Sequence, residues 1–261
     1  MKNKRNKKSK KNTTKDWFSS WSNEYDDTLG KIGFHTELLS TIAKNAHLKS
    51  KDKVLDIGCG TGLLSLKLLQ KAACHITGID NSEGMMAIFQ EKIKRLNLQA
   101  NVTCQFMDAL DLKFKKDTFD KVVSSVTLHH LKDKKKAIRA AHRILKPGGI
   151  FILGEIDMDS TGSHSDANRL KRILNVLEQE WIFALKNVGI KAFVRMYDNG
   201  KKHIFNEGEY CISLKQWAKI CRDAGFKQVR VKRLPHYKCF GIITAKKMRN
   251  RGKYPDPSII Y

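Results

Sequence analysis

The stretch VLDIGCGTG, residues 54–62, decides the fold of this chain. An apolar run ends in Asp56, and glycines follow at every second position from Gly58. This pattern is typical of a buried strand that enters a tight loop, in which glycine lets the backbone approach a ligand closely. The dinucleotide fingerprint G-x-G-x-x-G does not fit, because the sixth position counted from Gly58 is Leu63. Asp56 would also repel a pyrophosphate, whereas it would attract a ligand that carries an amino group.

Strand and helix patterns alternate outward from this loop. The predicted strands are KVLDIG (53–58), HITGID (75–80), NVTCQFMD (101–108), FDKVVSSVT (119–127) and IFILGEI (150–156), and the helices between them include GLLSLKLLQKAA (62–73), EGMMAIFQEKIKRL (83–96) and DKKKAIRAAHRIL (133–145). Alternation of this kind predicts a parallel sheet with helices on both faces.

Two later regions modify this plan. Residues 166–189 interrupt the alternation with one long helix or two shorter ones, so we expect a helical insertion, or lid, over about 160–210 after the fifth strand. The last two strands, QVRVKRL (228–234) and CFGIITAKK (239–247), are separated by only PHYK and must therefore pair antiparallel. The predicted fold is an α/β domain with a seven-stranded, mostly parallel sheet and an antiparallel last strand.

Composition sets wider limits. The net charge is +24, and residues 1–15 contribute eight basic residues and no acidic one, which predicts a disordered basic tail. We therefore place the domain at 16–247 and a loose tail at 248–261. The six cysteines form no CxxC pair, so we expect a reduced, cytoplasmic chain. No secretory signal or membrane span is predicted.

VLDIGCGTG resembles the first motif of class I S-adenosylmethionine (SAM)-dependent methyltransferases. The resemblance continues through ITGID (76–80), FMDA (106–109), FDKVVSSVTLHHL (119–131) and ILKPGGIFIL (144–153), in the family's order, and EYDDTLG (24–30) is similar to the lead-in of quinone-biosynthesis and other small-molecule members. The resemblance implies a Rossmann-like fold and SAM as the cofactor.

The same resemblance implies roles for individual residues. Asp56 and the loop of Gly58, Cys59, Gly60 and Gly62 would face the methionine end of SAM, with Cys59 as a small filler. Asp80 would accept hydrogen bonds from both ribose hydroxyls, and Asn81 and Met85 would lie beside the ribose and adenine. Asp108 would accept from the adenine amino group and Ala109 would donate its backbone N–H, although Asp111 is a rival for Asp108. Ser124 would lie near the sulfonium.

Candidate catalytic residues follow the fourth and fifth strands. His129 is a candidate base, and the alternative is a structural histidine. Glu155 and Asp157 could bind an amine or orient a hydroxyl. The run Asp157, Asp159, Gly162 approaches a calcium loop, but its twelfth position is Asn168, so no metal is predicted.

We expect methyl transfer to a small-molecule acceptor. The alternatives are an RNA methyltransferase tethered by the basic tail, a protein acceptor and a non-catalytic SAM-binding protein. SSVT (124–127) stands where amino methyltransferases of nucleic acid bases carry an N-P-P-Y-like motif, which argues against RNA. The acceptor and the oligomeric state stay open.

Overall fold

The computed structural model describes residues 13–163, 165–205 and 209–249. Most of the predicted basic tail and of the predicted C-terminal tail lies outside these residues. One boundary differs from the prediction, since the first helix begins at Thr13 and includes the last three residues assigned to the basic tail. Lys15 is held there because its Nζ contacts Glu83 at 3.2 Å and lies 4.7 Å from the centre of the Phe106 ring.

The described strands form one seven-stranded sheet in the order β3-β2-β1-β4-β5-β7-β6. The strands are β1 (Lys53–Ile57), β2 (His75–Asp80), β3 (Val102–Phe106), β4 (Phe119–Ser125), β5 (Leu145–Ile156), β6 (Lys227–Arg233) and β7 (Phe240–Lys246). All pairings up to β5 are parallel, and β7 runs antiparallel to both β5 and β6. The predicted fold class is confirmed.

Helices cover both faces of the sheet. They are α1 (Thr13–Tyr25), α2 (Gly33–Asn45), α3 (Leu63–Leu69), α4 (Glu83–Arg95), α5 (Lys134–Ile144), α6 (Ala167–Asn187), α7 (Ile190–Phe205) and α8 (Leu214–Asp223). Adjacent residues of one strand serve opposite faces, as strand geometry requires. Ile152 packs in one core with Leu38 of α2, whereas Phe151 packs in the other with Trp217 of α8.

The chain order creates a crevice at the middle of the sheet. From β1 the chain moves outward through β2 to β3, and it then returns to β4 on the other side of β1. The loops that leave β1 and β4 therefore diverge to opposite sides, and ligands of open α/β sheets bind at this point, beyond the carboxyl ends of the strands.

The insertion after β5 consists of two helices that pack against each other. Trp181 of α6 donates its indole N–H to the Met196 carbonyl of α7 at 3.0 Å. The guanidinium of Arg169 is buried and donates to the carbonyls of Ser160, His203 and Ile204, which joins the start of α6 to the end of α7. We call α6 and α7 the lid. No helix among the described residues is both long and apolar enough to cross a membrane.

Candidate active site

A cavity of about 380 Å³ lies at the carboxyl ends of β1, β2 and β4, and we call it the cofactor cleft. Of the predicted cofactor residues, its wall includes Asp56, Gly58, Cys59, Gly60, Asp80, Asn81, Met85, Asp108 and Ala109. The side chain of Ser124 lies elsewhere, because its buried hydroxyl donates to the Ile57 carbonyl at 2.8 Å. Its neighbours Ser125 and Val126 line the cleft instead.

The glycine loop has a left-handed backbone, and two of its positions show why glycine is needed. Gly58 has φ +69°, and a Cβ there would collide with the side chain of Thr127 on the loop after β4. Gly62 has φ +87° and lies against the ring of Phe89, so it seats α3 against α4 rather than facing the cleft. By contrast, a Cβ on Gly60 would meet no atom within 4 Å. The loop therefore presents open space at Gly60.

Asp80 organises the cleft at the end of β2. One carboxylate oxygen accepts from the Gly60 N–H at 2.9 Å, and the other accepts from the Ser82 N–H at 2.8 Å. Burial raises the pKa of this carboxyl, although the backbone hydrogen bonds oppose that effect. Ser82 also caps α4, because its hydroxyl accepts from the Met85 N–H. Asp80 thus holds the loop while its half-buried carboxylate faces the cleft.

Asp56 is fully buried at the end of β1, where it forms part of the cleft wall. Its Oδ2 accepts from the Ser65 hydroxyl at 2.7 Å, but its Oδ1 has no hydrogen-bond partner among the described residues. Burial raises its pKa to about 7; the Ser65 hydrogen bond opposes this shift, and the charge of Asp80 adds to it. A buried carboxylate oxygen without a donor favours a ligand that supplies one.

The two rival acids after β3 lie in different environments. Asp108 and Ala109 line the cleft, and Asp108 accepts from the Leu110 N–H at 2.8 Å. Asp111 does not line it, and its carboxylate pairs with Lys113 at 2.6 Å in solvent. Cys59 is buried against Met86, and burial raises the pKa of its thiol well above the ordinary range, as a filler residue requires.

The segment before β1 covers the cleft, and sequence reasoning did not assign its residues to the site. The Thr61 hydroxyl donates to Asp26 at 2.6 Å, and Lys92 pairs with the same carboxylate, so the segment is fastened to the glycine loop. Tyr25 and His35 line the cleft. Burial raises the pKa of Tyr25, and burial lowers the pKa of His35 to about 4, so both groups are neutral near pH 7. The aromatic content of residues 16–29 was the available signal.

A second, smaller cavity of about 50 Å³ lies beneath the lid, and we call it the lid cavity. Its wall consists of Phe18, Trp21, Tyr25, Leu29, Phe34, Val126, His129, His130, Ile156, Glu180, Met196, Asn199, His203 and Phe240. Phe18, Tyr25, Val126 and His130 line both cavities, so the two share a wall. Burial raises the pKa of Glu180 to about 8, and the Asn199 Oδ1 is buried without a hydrogen-bond partner among the described residues.

Of the three predicted catalytic residues, His129 and Glu155 contact each other, whereas Asp157 lies apart from them. The Nδ1 of His129 lies 2.6 Å from Glu155 and its Nε2 lies 3.2 Å from Glu209. Burial alone would lower the pKa of His129, but these two carboxylates raise it to about 10. The carboxylate of Glu155 is fully buried and also accepts from the N–H groups of Leu128 and His129. Neither residue is arranged to take a proton from an acceptor, because the imidazole is already charged and the carboxylate is fully occupied.

Asp157 points away from both cavities. Its Oδ1 accepts from the Leu214 N–H at 2.8 Å at the start of α8, and its Oδ2 pairs with Arg233 of β6. Its position fastens the end of β5 to the antiparallel part of the sheet. Asp157 lines neither cavity.

Comparison with known proteins agrees with this geometry. Residues 54–149 match the family model "Methyltransferase domain". A 27-O-demethylrifamycin SV methyltransferase from Amycolatopsis mediterranei is 30% identical over 53% of this chain and 52% of its own length. A demethylmenaquinone methyltransferase from Staphylococcus haemolyticus is 32% identical over 52% of this chain and 57% of its own length. The chain thus spans about half the length of these curated relatives.

A solved structure shows the same fold. The phosphoethanolamine N-methyltransferase 2 of Haemonchus contortus, in complex with S-adenosyl-L-methionine, matches 93% of this chain and 59% of its own chain with a TM-score of 0.62 and 18% identity. The strand order, the glycine loop with its two acids and the match over residues 54–149 lead to one conclusion. Residues 54–149 belong to the methyltransferase domain family, and the described chain has the fold of the class I S-adenosylmethionine-dependent methyltransferases.

Proposed function

We propose that the chain transfers a methyl group from SAM to a small-molecule acceptor that binds in the lid cavity. The observation that carries this proposal is the wall that the cofactor cleft and the lid cavity share through Phe18, Tyr25, Val126 and His130. Two adjoining compartments are what methyl transfer requires, because the acceptor must approach the methyl group from the side opposite the sulfur while water is excluded.

The cleft residues fit the chemistry of SAM. Its ammonium group would supply the donor that Asp56 Oδ1 lacks. Asp80, half-buried at the end of β2, has the position from which an acid accepts hydrogen bonds from ribose hydroxyls. Asp108 and Ala109 would recognise the adenine, and the space at Gly60 would admit the ligand close to the backbone. When bound, SAM supplies an electrophilic methyl group.

The lid cavity supports an acceptor with an apolar body and one polar group. Aromatic rings form much of its wall, and Phe34 and Phe240 stack with their centres 4.2 Å apart. Glu180 is protonated at neutral pH because burial raises its pKa to about 8, so it would donate a hydrogen bond to the acceptor. Asn199 Oδ1 would accept one. A base is needed only for an acceptor that must lose a proton, and we assign that role to neither His129 nor Glu155.

The names of the relatives also favour a small molecule over RNA. The two relatives described above carry the names of a quinone and of an antibiotic methyltransferase. The basic tail, which motivated the RNA alternative, lies mostly outside the described residues. Since the chain spans about half the length of those relatives, the substrate class stays a proposal.

The first test is SAM binding by calorimetry with the full chain. We expect Asp80→Ala to weaken binding by about 100-fold, because hydrogen bonds to a charged group contribute about 1.5–3 kcal/mol each. Asp111→Ala is the matched control, since Asp111 lies outside the cleft, and it should bind SAM as the unmodified chain does. Unchanged binding by Asp80→Ala would refute the ribose assignment.

The second test identifies the acceptor class. Radiolabelled SAM is incubated with the chain and a host extract, and the extract is then separated into small-molecule, RNA and protein fractions. We expect the label in the small-molecule fraction, and far less of it there with Asp80→Ala at a SAM concentration below the affinity of that variant. Label confined to RNA or protein would overturn the acceptor assignment, and SAM binding with no transfer to any fraction would favour the non-catalytic alternative.

A further inference from the structure

We propose that this chain binds one zinc ion between the lid and the sheet, through His129, His203, Glu209 and Cys211. The four side chains come from three segments, namely the loop after β4, the end of α7 and the segment that leads to α8. They converge beside the lid cavity, and His129 and His203 form part of its wall. The proposal concerns metal binding and is independent of the proposed methyl transfer.

Three separations between ligand atoms fall near those of a tetrahedral site. The Glu209 Oε2 lies 3.2 Å from His129 Nε2 and 3.8 Å from His203 Nδ1, and the His203 Nδ1 lies 3.4 Å from Cys211 Sγ. The ligand atoms of His129, Glu209 and Cys211 all lie within 4.8 Å of one another. Ligands at about 2.0–2.3 Å from zinc in a tetrahedron are separated by about 3.3–3.8 Å.

A single carboxylate oxygen of Glu209 lies at the centre of this cluster. Glu209 Oε2 is buried and close to three imidazole nitrogens, including His130 Nδ1 at 3.0 Å, yet it has no hydrogen bond of acceptable geometry among the described residues. Polar atoms that lie close together without hydrogen bonds between them have the arrangement of ligands around a common ion. In such a site each ligand would direct its lone pair towards the ion.

Glu155 completes the arrangement as an outer partner. Its carboxylate lies 2.6 Å from His129 Nδ1, and this contact fixes the ring so that Nε2 faces Glu209. Zinc-bound histidines almost always give their other N–H to a carboxylate or carbonyl in this way. The Glu155 carboxylate is itself held by the N–H groups of Leu128 and His129. The buried Glu155–His129 pair would thus orient a zinc ligand, whereas the proposed transfer reaction assigns it no role.

The donor set and the charges favour zinc. One sulfur, two nitrogens and one carboxylate oxygen suit zinc, whereas calcium and magnesium prefer oxygen ligands alone. Glu155, Glu209 and a Cys211 thiolate carry three negative charges, which Zn²⁺ and the nearby ammonium of Lys134 balance. Binding releases the thiol proton of Cys211 and one ring proton of His129 to solvent.

With four protein ligands the site is a structural clamp. It joins the end of α7 and residues 209–211 to the loop after β4, where the Tyr210 N–H already donates to the His129 carbonyl at 3.0 Å. The clamp therefore holds the lid over the cavity that it covers. The ligands follow no CxxC spacing, which is why the sequence alone predicted no zinc site.

The test uses the full chain, purified without a histidine tag and without chelators. Metal analysis should find about one zinc per chain, and the zinc-free protein should bind Zn²⁺ in competition with a chromogenic chelator. Co²⁺ in its place should show the near-ultraviolet charge-transfer band of a thiolate ligand and the intense visible bands of tetrahedral cobalt.

Variants assign the ligands. Glu155→Gln should weaken zinc affinity by roughly 10- to 100-fold, the usual cost of losing an outer partner, and His203→Gln should weaken it by more. Cys211→Ser should abolish the charge-transfer band. Cys104→Ser is the matched control, because Cys104 is a half-buried cysteine of β3 outside the proposed site, and it should leave affinity and spectrum unchanged.

Three outcomes would overturn the proposal. They are a folded chain that neither retains nor binds zinc, a cobalt complex without the thiolate band, and a Cys211→Ser variant that binds zinc as tightly as the unmodified chain. Circular dichroism confirms the fold of each variant. If Cys211→Ser does not fold, the cobalt spectrum of the unmodified chain decides the question.

Discussion

The cofactor cleft and the lid cavity lie side by side, but they are built in different ways. Most of the cleft is formed by short motifs that follow β1, β2, β3 and β4, which the sheet itself places, while α1 and α2 add Phe18, Tyr25 and His35 to its wall. The lid cavity draws on α1, α2, the loop after β4, both lid helices and β7. The polar residues of the lid cavity come together only because segments far apart in the chain pack against each other. The contrast teaches that a sheet fixes cofactor recognition locally, whereas acceptor recognition depends on long-range packing.

Adding one methyl group to a glycine of the cofactor loop and one to a glycine of the lid tests this difference most severely. Gly58→Ala should lower the free energy of unfolding by about 2–5 kcal/mol, because left-handed strain and a clash with Thr127 act together. Gly189 lies between the lid helices with φ +112°, and an added Cβ would meet no atom within 4 Å. Gly189→Ala should therefore lower the free energy of unfolding only through backbone strain, by about 1–2 kcal/mol. Urea denaturation measures both, and equal losses would contradict the contrast.

Loss of the Arg169 guanidinium should destabilise the lid without reducing the affinity of the cleft for SAM. Arg169→Met removes donors from three carbonyls around the lid and should destabilise it by on the order of 3 kcal/mol. Hydrogen exchange in α6 and α7 should accelerate, while SAM affinity stays within about twofold. Arg172→Met is the control, since the bonds of Arg172 to Asp159 and Thr161 are exposed and contribute little. A parallel fall in SAM affinity would mean that the two regions are coupled.

The cleft should respond to pH through Asp56, whose pKa burial raises to about 7. As pH rises from 6 to 8 the carboxyl loses its proton and gains the charge that attracts the ammonium of SAM, so affinity should rise by about five- to tenfold. In the free protein the same carboxyl has the opposite effect on the free energy of unfolding. Its contribution to stability is lost as pH rises from about 4 towards 7. Calorimetry should give a flatter affinity profile for Asp56→Asn, and an unchanged profile would exclude Asp56 as the responsible group.

The smallest effect concerns the two acids after β3. Asp108→Asn should weaken SAM binding by about fivefold, the equivalent of one exposed hydrogen bond of about 1 kcal/mol. Asp111→Asn should have no measurable effect, because Asp111 lies outside the cleft and pairs with Lys113. Calorimetry of both variants decides between the rivals, and a larger loss with Asp111→Asn would reverse the assignment.

Most of the fold was predictable because it follows from local patterns. Strand and helix periodicities, the glycine loop and the four-residue connection before β7 were enough for the seven-stranded sheet and its antiparallel strand. The start of α8 is likewise local, because Ser213 and Gln216 form a full capping box there. The start of the domain was placed at residue 16, three residues after α1 begins, because Thr13 to Lys15 resemble the basic tail in composition and the contacts of Lys15 appear only in the structure.

The site was predictable only in part. The acids and glycines at strand ends were found because a sheet brings the carboxyl ends of its strands together. Ser124 was assigned to the cleft, but alternation along β4 turns its side chain inward to Ile57. Glu155 and Asp157 were treated alike, yet one is buried against His129 and the other pairs with Arg233. Which partner reaches a side chain is a property of the packed structure.

By itself the sequence determined the sheet, the resemblance of residues 54–149 to a methyltransferase domain and most of the predicted residues that line the cofactor cleft, since each depends on neighbours within a few positions of the chain. The tertiary structure alone decided what surrounds His129, because Glu155, Glu209 and His203 reach it from 26, 80 and 74 positions away. Such contacts arise because the lid packs against the sheet and buries charged groups, each of which needs an oppositely charged partner. The residues of the cleft can therefore be predicted largely from the sequence, whereas those of the lid cavity and its buried cluster are known only from the tertiary structure.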